Sequence, residues 1–301
     1  MNALRPYNFS PTIIGVLGLF IWSLSALFTV YLDNIPTFQI ITIIFFVSTV
    51  TSFLSTTANG NWSNLAKHPP FLWIIGIVGI CGNEILYITS FKLAPPAGVD
   101  LITYLWPLMV ILFSSLLPKE RFSKSHLCSG LIAFYAVYLL LSPDLFNHQH
   151  NTNHIMGYTC AFGAAVLWAG YTLLSRAYAR PAPELIGIYY SFGFIFSLGL
   201  HLQSEYWISP SLVEWVVLIS MGALSHGLAY AFWDTGVKKG NFKLLSIMSY
   251  GTPIASIFFL VLFGFAEMTP SLGIAATLFF IASLIGSAPN KKDTKTQSTI
   301  A

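Results

Sequence analysis

Ser142-Pro143-Asp144-Leu145-Phe146-Asn147-His148-Gln149-His150-Asn151-Thr152-Asn153-His154 is the longest polar interruption in a chain that is otherwise almost continuously apolar. Five apolar runs precede it, at 12–32, 36–56, 71–91, 97–117 and 125–142. Five come after it, at 155–175, 185–203, 212–233, 244–264 and 269–288. Each is close to the roughly 20 residues a helix needs to cross the hydrocarbon core. Because five is odd, a duplicated five-helix unit must enter the membrane the second time with opposite polarity. The expected fold is all-α and integral to the membrane, with ten transmembrane helices as two inverted five-helix repeats. The repeats are expected at 11–142 and 155–288, and a polar, disordered cytoplasmic tail at 289–301.

The charge pattern supports this count. Of fourteen Lys and Arg residues, thirteen fall on one side of the ten spans: Arg5, Lys67, Lys119, Arg121, Lys124, Arg176, Arg180, Lys238, Lys239, Lys243, Lys291, Lys292 and Lys295. Short cytoplasmic loops retain Lys and Arg while exported ones lose them, so both termini are expected in the cytoplasm. Lys92 is the exception, at a helix end where its stem can snorkel to the interface.

Composition excludes a soluble domain. Charged residues make up 8% of the chain and hydrophobic residues 55%, with a mean hydropathy of +0.71, whereas soluble domains carry about 25% charged residues. The net charge of +3 resides in short loops and indicates no nucleic-acid partner. Cys81, Cys128 and Cys160 each sit in an apolar run, without a disulfide framework or metal-ligand spacing. The first apolar run extends to Leu32, too long for a signal-peptide core, and is expected to be retained as the first span.

The two halves share a signature. Gly79 precedes Tyr87 by eight residues, with Tyr104-Leu105-Trp106-Pro107 further on; Gly222 precedes Tyr230 by eight, with Tyr250-Gly251-Thr252-Pro253 further on. Trp22 and Trp168 mark the first span of each half. Inverted repeats are the architecture of alternating access, with substrate bound near the midplane.

Polar residues inside the spans are the functional candidates, because a charge at membrane depth is costly unless it faces a paired or wet interior. Glu84, with Asn83 beside it and Tyr87 three residues on, is the clearest; its alternative is a buried structural hydrogen bond, for instance to His226. Asp100 is either functional or a cap of the fourth helix after Pro95-Pro96. His226, Tyr230 and Trp233 fall at i, i+4 and i+7, and Trp168, Tyr171 and Ser175 at i, i+3 and i+7, each set on one helical face. With Tyr87, Tyr104, Trp106 and Tyr250, these residues predict a substrate pocket for a flat, partly polar solute, or for a cation held on aromatic faces. Trp62, Trp73, Trp207 and Trp215 lie near span ends and read as an interfacial belt, to which Trp233 is also suited. Pro107 and Pro253 interrupt matching spans and are expected to be gating positions.

Asn83-Glu84-Ile85, Tyr104-Leu105-Trp106-Pro107, Trp168-Ala169-Gly170-Tyr171 with Tyr178-Ala179-Arg180, and Ala229-Tyr230-Ala231-Phe232-Trp233 with Gly240-Asn241 after it carry a family likeness. Over residues 11–288 the chain resembles the drug/metabolite transporter superfamily with EamA-type repeats, and more narrowly its aromatic amino-acid exporter branch. The resemblance implies export of Phe, Tyr, Trp and related small solutes through a central cavity. It places cavity residues on the third, fourth and sixth spans, at Glu84, Tyr87, Tyr104, Trp106 and Trp168. Pro95-Pro96 departs from the branch and leaves Asp100 without a counterpart.

The expected function is secondary transport of aromatic or other hydrophobic amino acids across the cytoplasmic membrane, with a small-molecule substrate and the lipid bilayer as partners. No cofactor or metal is expected, and a monomer suffices. Trp106, Trp168 and Tyr104 would stack on the side chain, while Glu84 would accept a hydrogen bond from the ammonium or carry a coupling proton. The rival reading is a carrier of another solute, such as an organic cation, or an importer of a metabolite; no span interior supplies the Arg or Lys that a phosphate would need. No P-loop, His-Glu-x-x-His or paired-Asp motif supports ATP-driven transport or an intramembrane enzyme. His148, His150 and His154 are read as a polar exported loop rather than a metal site.

Overall fold

Several side chains with hydroxyls, amides and carboxylates are buried in this protein alongside an apolar core, while many Leu, Ile and Phe lie exposed. Ser197, Gln39 and Ser48 are fully buried, whereas Ile74, Leu131, Ile195 and Phe196 face outward. That inversion of soluble packing is what a helix bundle in lipid requires, since chain polarity must be satisfied internally. The structure, a computed structural model, describes residues 10–59, 62, 70–114, 124–146, 152–178, 183–240, 245, 248–249 and 251–286.

The described residues are helical throughout the spans. The first span comprises α1 (Pro11–Ser23) and α2 (Ser25–Tyr31), and the second is α3 (Thr37–Asn59). The third runs through α4 (Pro70–Gly76), a π-helical segment (Ile77–Gly82) and α5 (Asn83–Leu93). The fourth is α6 (Pro96–Thr103) and α7 (Trp106–Ser114), the fifth α8 (Lys124–Phe146), the sixth α9 (Thr152–Tyr178) and the seventh α10 (Pro183–Ser204). The eighth repeats the plan of the third: α11 (Leu212–Ser220), a π-helical segment (Met221–Leu228) and α12 (Ala229–Lys239). α13 (Thr252–Leu262) belongs to the ninth span and α14 (Pro270–Gly286) is the tenth. Six of these stretches are long and apolar enough to cross a membrane by themselves. This is the all-α membrane fold of ten spans that the hydropathy pattern predicts.

The dividing polar stretch is shorter than its composition suggests. α8 continues to Phe146 and α9 begins at Thr152, so Ser142–Phe146 and Thr152–His154 are helical. Backbone groups near a membrane surface are satisfied by extending a helix past its apolar segment. The expected tail at 289–301 and the loop residues His148 and His150 lie outside the described residues.

Two compact units emerge, and each draws on both sequence halves: Met1–Lys67 with Ala182–Phe259, and His68–Pro181 with Leu260–Ala301. In the first unit α3 packs along α10 and α1 along α12. A Cβ on Gly236 would stand 2.6 Å from Gly15 Cα, so α1 and α12 touch backbone to backbone. Glu205, the first residue after α10, accepts the N–H of Phe38 (2.9 Å) and of Gln39 (3.0 Å), capping α3. His201 Nδ1 lies 2.9 Å from the same carboxylate.

In the second unit α9 is the central helix, contacted by α4, α5, α6 and α7, while α14 lies along α8. Gly157, Ala161, Ala165 and Ala169 recur every four residues on α9, and all three alanines are fully buried. Such small-residue stripes let helices approach closely where lipid supplies no hydrophobic drive for association.

Candidate functional site

In the second unit the site begins with a glycine. A Cβ at Gly79, inside the π segment, would lie 2.5 Å from Tyr171 Cβ, so only glycine lets the third span reach the ring of α9. Tyr171 in turn tilts against Trp168, with centroids 5.5 Å apart. Trp168 receives Trp106 edge to face, at 6.2 Å and 87°. The fourth span is what aims Trp106. Pro107 has no N–H to continue the helix, and the chain makes a break at Tyr104 and Leu105, whose N–H groups donate to Asp100 O (3.0 Å) and Ile102 O (3.1 Å). Trp106 then opens α7.

Asn83 and Glu84 come directly after the π segment, in the first turn of α5. Asn83 Nδ2 donates to Ala164 O of α9 at 3.0 Å, tying the third span to the sixth. Glu84 is buried, with 7% of its surface exposed, and Tyr87 is half-buried and stands edge to face with Phe91. The structure thus brings Trp106, Trp168 and Tyr171 into one ring cluster on α9 and α7. It places Asn83, Glu84 and Tyr87 on the helix that packs beside them. Two indoles and a phenol offer apolar faces with polar edges, and a buried carboxylate stands on an adjacent helix.

Asp100 does not cap the fourth helix. The capping position of α6 is Pro95, with no side-chain hydrogen bond, and Asp100 lies a full turn inside at 1% exposure. Proline at the helix start sets the backbone by its fixed φ and needs no side-chain acceptor.

The first unit contains a second aromatic cluster. Trp22 Nε1 donates to the carbonyl of Ser225 at 3.0 Å, and its ring meets Tyr230 edge to face at 5.3 Å and Trp233 at 5.8 Å. Trp233 therefore joins this cluster. Periodicity of 3.6 puts His226 on the face of Tyr230, whose ring meets Trp22. His226 lies in the π segment, its Nδ1 3.0 Å from Met221 O, and packs on Tyr190 and Phe45 of α10 and α3. Since a carbonyl only accepts, Nδ1 carries the proton. The π segment adds a residue to the turn and rotates the helix beyond it. Tyr250 and the side chains of Pro107 and Ser175 lie outside the description, while Pro253 is the second residue of α13, as Pro107 is of α7.

Sequence reasoning used Trp22 only as a repeat marker and did not see the π segments. The available signal was the pair Gly79 and Gly222. Each lies in a π segment, and a Cβ on Gly222 would stand 2.7 Å from Val47 Cβ. No group of three or more metal-ligating side chains occurs among the described residues.

This arrangement is that of a multi-pass membrane carrier built from a repeated helical unit, and comparison with known proteins gives the class. The model of the EamA-like transporter family matches twice, at residues 10–142 and 155–287. The chain belongs to that family. A relative from Ancylobacter novellus named aromatic amino acid exporter YddG is 32% identical over 269 residues, spanning 89% of this chain and 94% of its own. A protein of the same name from Escherichia coli is 30% identical over 52% of this chain and 55% of its own, and the uncharacterized transporter YyaM of Bacillus subtilis is 24% identical over 79% and 80%. A solved crystal structure, 31% identical in sequence, superposes with a TM-score of 0.72 and covers 92% of this chain and 96% of its own. The family and these relatives are membrane transporters, so this protein moves small molecules.

Proposed function

We propose that this protein exports aromatic or other hydrophobic amino acids across the cytoplasmic membrane. The observation that carries the reading is the Trp106–Trp168–Tyr171 ring cluster, set beside the helix bearing buried Glu84. The name shared by the relatives from Ancylobacter novellus and Escherichia coli supports the same substrate class. Trp106 and Trp168 stack on the substrate ring, Tyr104, Tyr171 and Tyr87 border it, and Glu84 accepts from the ammonium, with Asn83 holding the third span in place.

Pro107 and Pro253 let the fourth and ninth helices rock at their breaks. The repeats run over 11–142 and 155–288, both termini are cytoplasmic, and a monomer is the working unit. Reporter fusions at the C-terminus check the orientation: an active cytoplasmic reporter is expected, and an active exported one reverses the assignment.

The deciding experiment is uptake and counterflow of labelled Phe, Tyr and Trp in liposomes containing the purified protein, with Trp106→Ala as the control. Saturable flux that the control loses is the expected result. No flux above empty liposomes overturns the amino-acid reading. A second reading, transport of an organic cation, is favoured by one observation, a buried carboxylate on a helix packed against the one that carries Trp168 and Tyr171. Inhibition by an organic cation without any amino-acid flux would select it.

A further inference from the structure

The eighth span is free of proline from Leu212 to Lys239, so nothing in the covalent chain interrupts an α-helix there. It nevertheless opens into i→i+5 turns over Met221–Leu228, where the N–H of Ala229 donates to Leu224 O, five residues back. Such turns are rare in proteins and are frequent at functional sites.

Contacts from three other helices of the same unit select the wide turn. Trp22 Nε1 on α1 donates to Ser225 O at 3.0 Å, and Tyr190 Oη on α10 donates to His226 O at 3.1 Å. Ser48 Oγ on α3 lies 3.0 Å from Gly222 O and 2.6 Å from Ile44 O of its own helix. Two glycines set five apart meet the same neighbour. A Cβ on Gly222 would stand 2.7 Å from Val47 Cβ, and one on Gly227 3.2 Å from Thr51 Oγ1, both on α3. Five residues close one π turn, whereas at 3.6 per turn they point about 140° apart. The packing of α3 is therefore matched to the π form.

These contacts bias a choice that the chain itself leaves open. Ser48 has a second acceptor in Ile44 O, so releasing Gly222 leaves its hydroxyl bonded. Tyr190 is fully buried, and a buried hydroxyl that loses its partner is costly, which makes this phenol the main lock. In α turns Gly227 would leave α3, and α12, with Tyr230 and Trp233, would turn against α11 by about 100° for each residue of shift. We propose that Met221–Leu228 is a two-state switch of the eighth span: the π form, held by Trp22, Ser48 and Tyr190, exchanges with an α-helical form in which α12 is rotated against α11. A π segment at Ile77–Gly82 gives the third span the same kind of element, in keeping with the paired moving parts of inverted-repeat carriers. The switch does not depend on which solute is carried.

The test reads the two ends of the span against each other. Spin labels are placed at Val216 and Ala231, both exposed and on either side of the segment, with Cys81, Cys128 and Cys160 changed to Ser. Distances are measured on the full chain in lipid bilayers without substrate. Tyr190→Phe keeps the ring and removes the lock, and should raise the share of a second distance about five-fold over wild type, the loss of one hydrogen bond. Gly227→Ala crowds Thr51 in the π form and should populate the same second distance. Gly199→Ala, on α10 with open space around it, should match wild type.

A single distance that neither Tyr190→Phe nor Gly227→Ala alters overturns the switch and makes the π segment a fixed feature of the fold. A second distance in only one of the two variants, different second distances in the two, or an equal change in Gly199→Ala overturns it as well. None of these outcomes bears on the exporter reading, which stands or falls by the flux measurement.

Discussion

Trp106 and Trp168 meet edge to face, ring centroids 6.2 Å apart and planes at 87°, across the contact between α7 and α9. Such a pair is worth about 0.5–1.5 kcal/mol beyond the area it buries, so each ring holds the other in place. Trp168→Ala is expected to raise the half-saturation constant for Phe about ten-fold, and Trp168→Phe to restore most of it. Counterflow kinetics check both, and equal behaviour of the two variants would remove the stacking role.

Glu84 is buried beside this cluster on the neighbouring helix. On the proposed role as acceptor for the substrate ammonium, Glu84→Gln is expected to weaken Phe counterflow about ten-fold, the loss of one charge-assisted bond. Normal counterflow in Glu84→Gln, with loss only of sensitivity to a collapsed pH gradient, would instead make it the proton carrier.

Gly79 admits Tyr171 at a distance where a methyl group does not fit. Gly79→Ala is expected to destabilise the protein by about 1–3 kcal/mol, seen as a lower melting temperature in detergent. Gly199, with nothing within 4 Å of the place a methyl group would take, supplies the neutral comparison as Gly199→Ala.

Trp22 donates its indole N–H to Ser225 O within the second π segment. Trp22→Phe keeps the ring against Tyr230 but removes the donor, at an expected cost of about 1 kcal/mol. The melting temperature should fall while the half-saturation constant for Phe moves less than about two-fold; the reverse pattern would place Trp22 in contact with substrate.

Glu205 takes two backbone N–H groups at the start of α3. Glu205→Ala leaves them without this acceptor and is expected to cost about 1–3 kcal/mol, with Glu205→Gln intermediate because one oxygen still accepts. Thermal unfolding of the two variants orders them.

The membrane spans were legible because hydropathy acts over some twenty residues and survives errors at the ends. The extension of α8 to Phe146 and the start of α9 at Thr152 were not, since polar residues near a membrane surface continue a helix as readily as they end one. Asp100 illustrates a local ambiguity: a carboxylate after Pro95-Pro96 has the spacing of a cap, and the actual start at Pro95 leaves it a turn inside.

The His226–Tyr230–Trp233 stripe rests on a period that the sequence could not check. A shared face requires 3.6 residues per turn throughout, and the π segment Met221–Leu228 changes the turn there. Gly222 hinted at this, but a glycine reports only that something comes close, and Val47 comes from a helix far away in the chain. Amino-acid order by itself determined that the chain crosses a membrane, repeats itself, and carries aromatic rings and one clear carboxylate inside the spans. Those properties come from composition and local period. Which rings touch and where the helix turns widen were decided only by tertiary packing, because each depends on neighbours brought together from distant parts of the sequence.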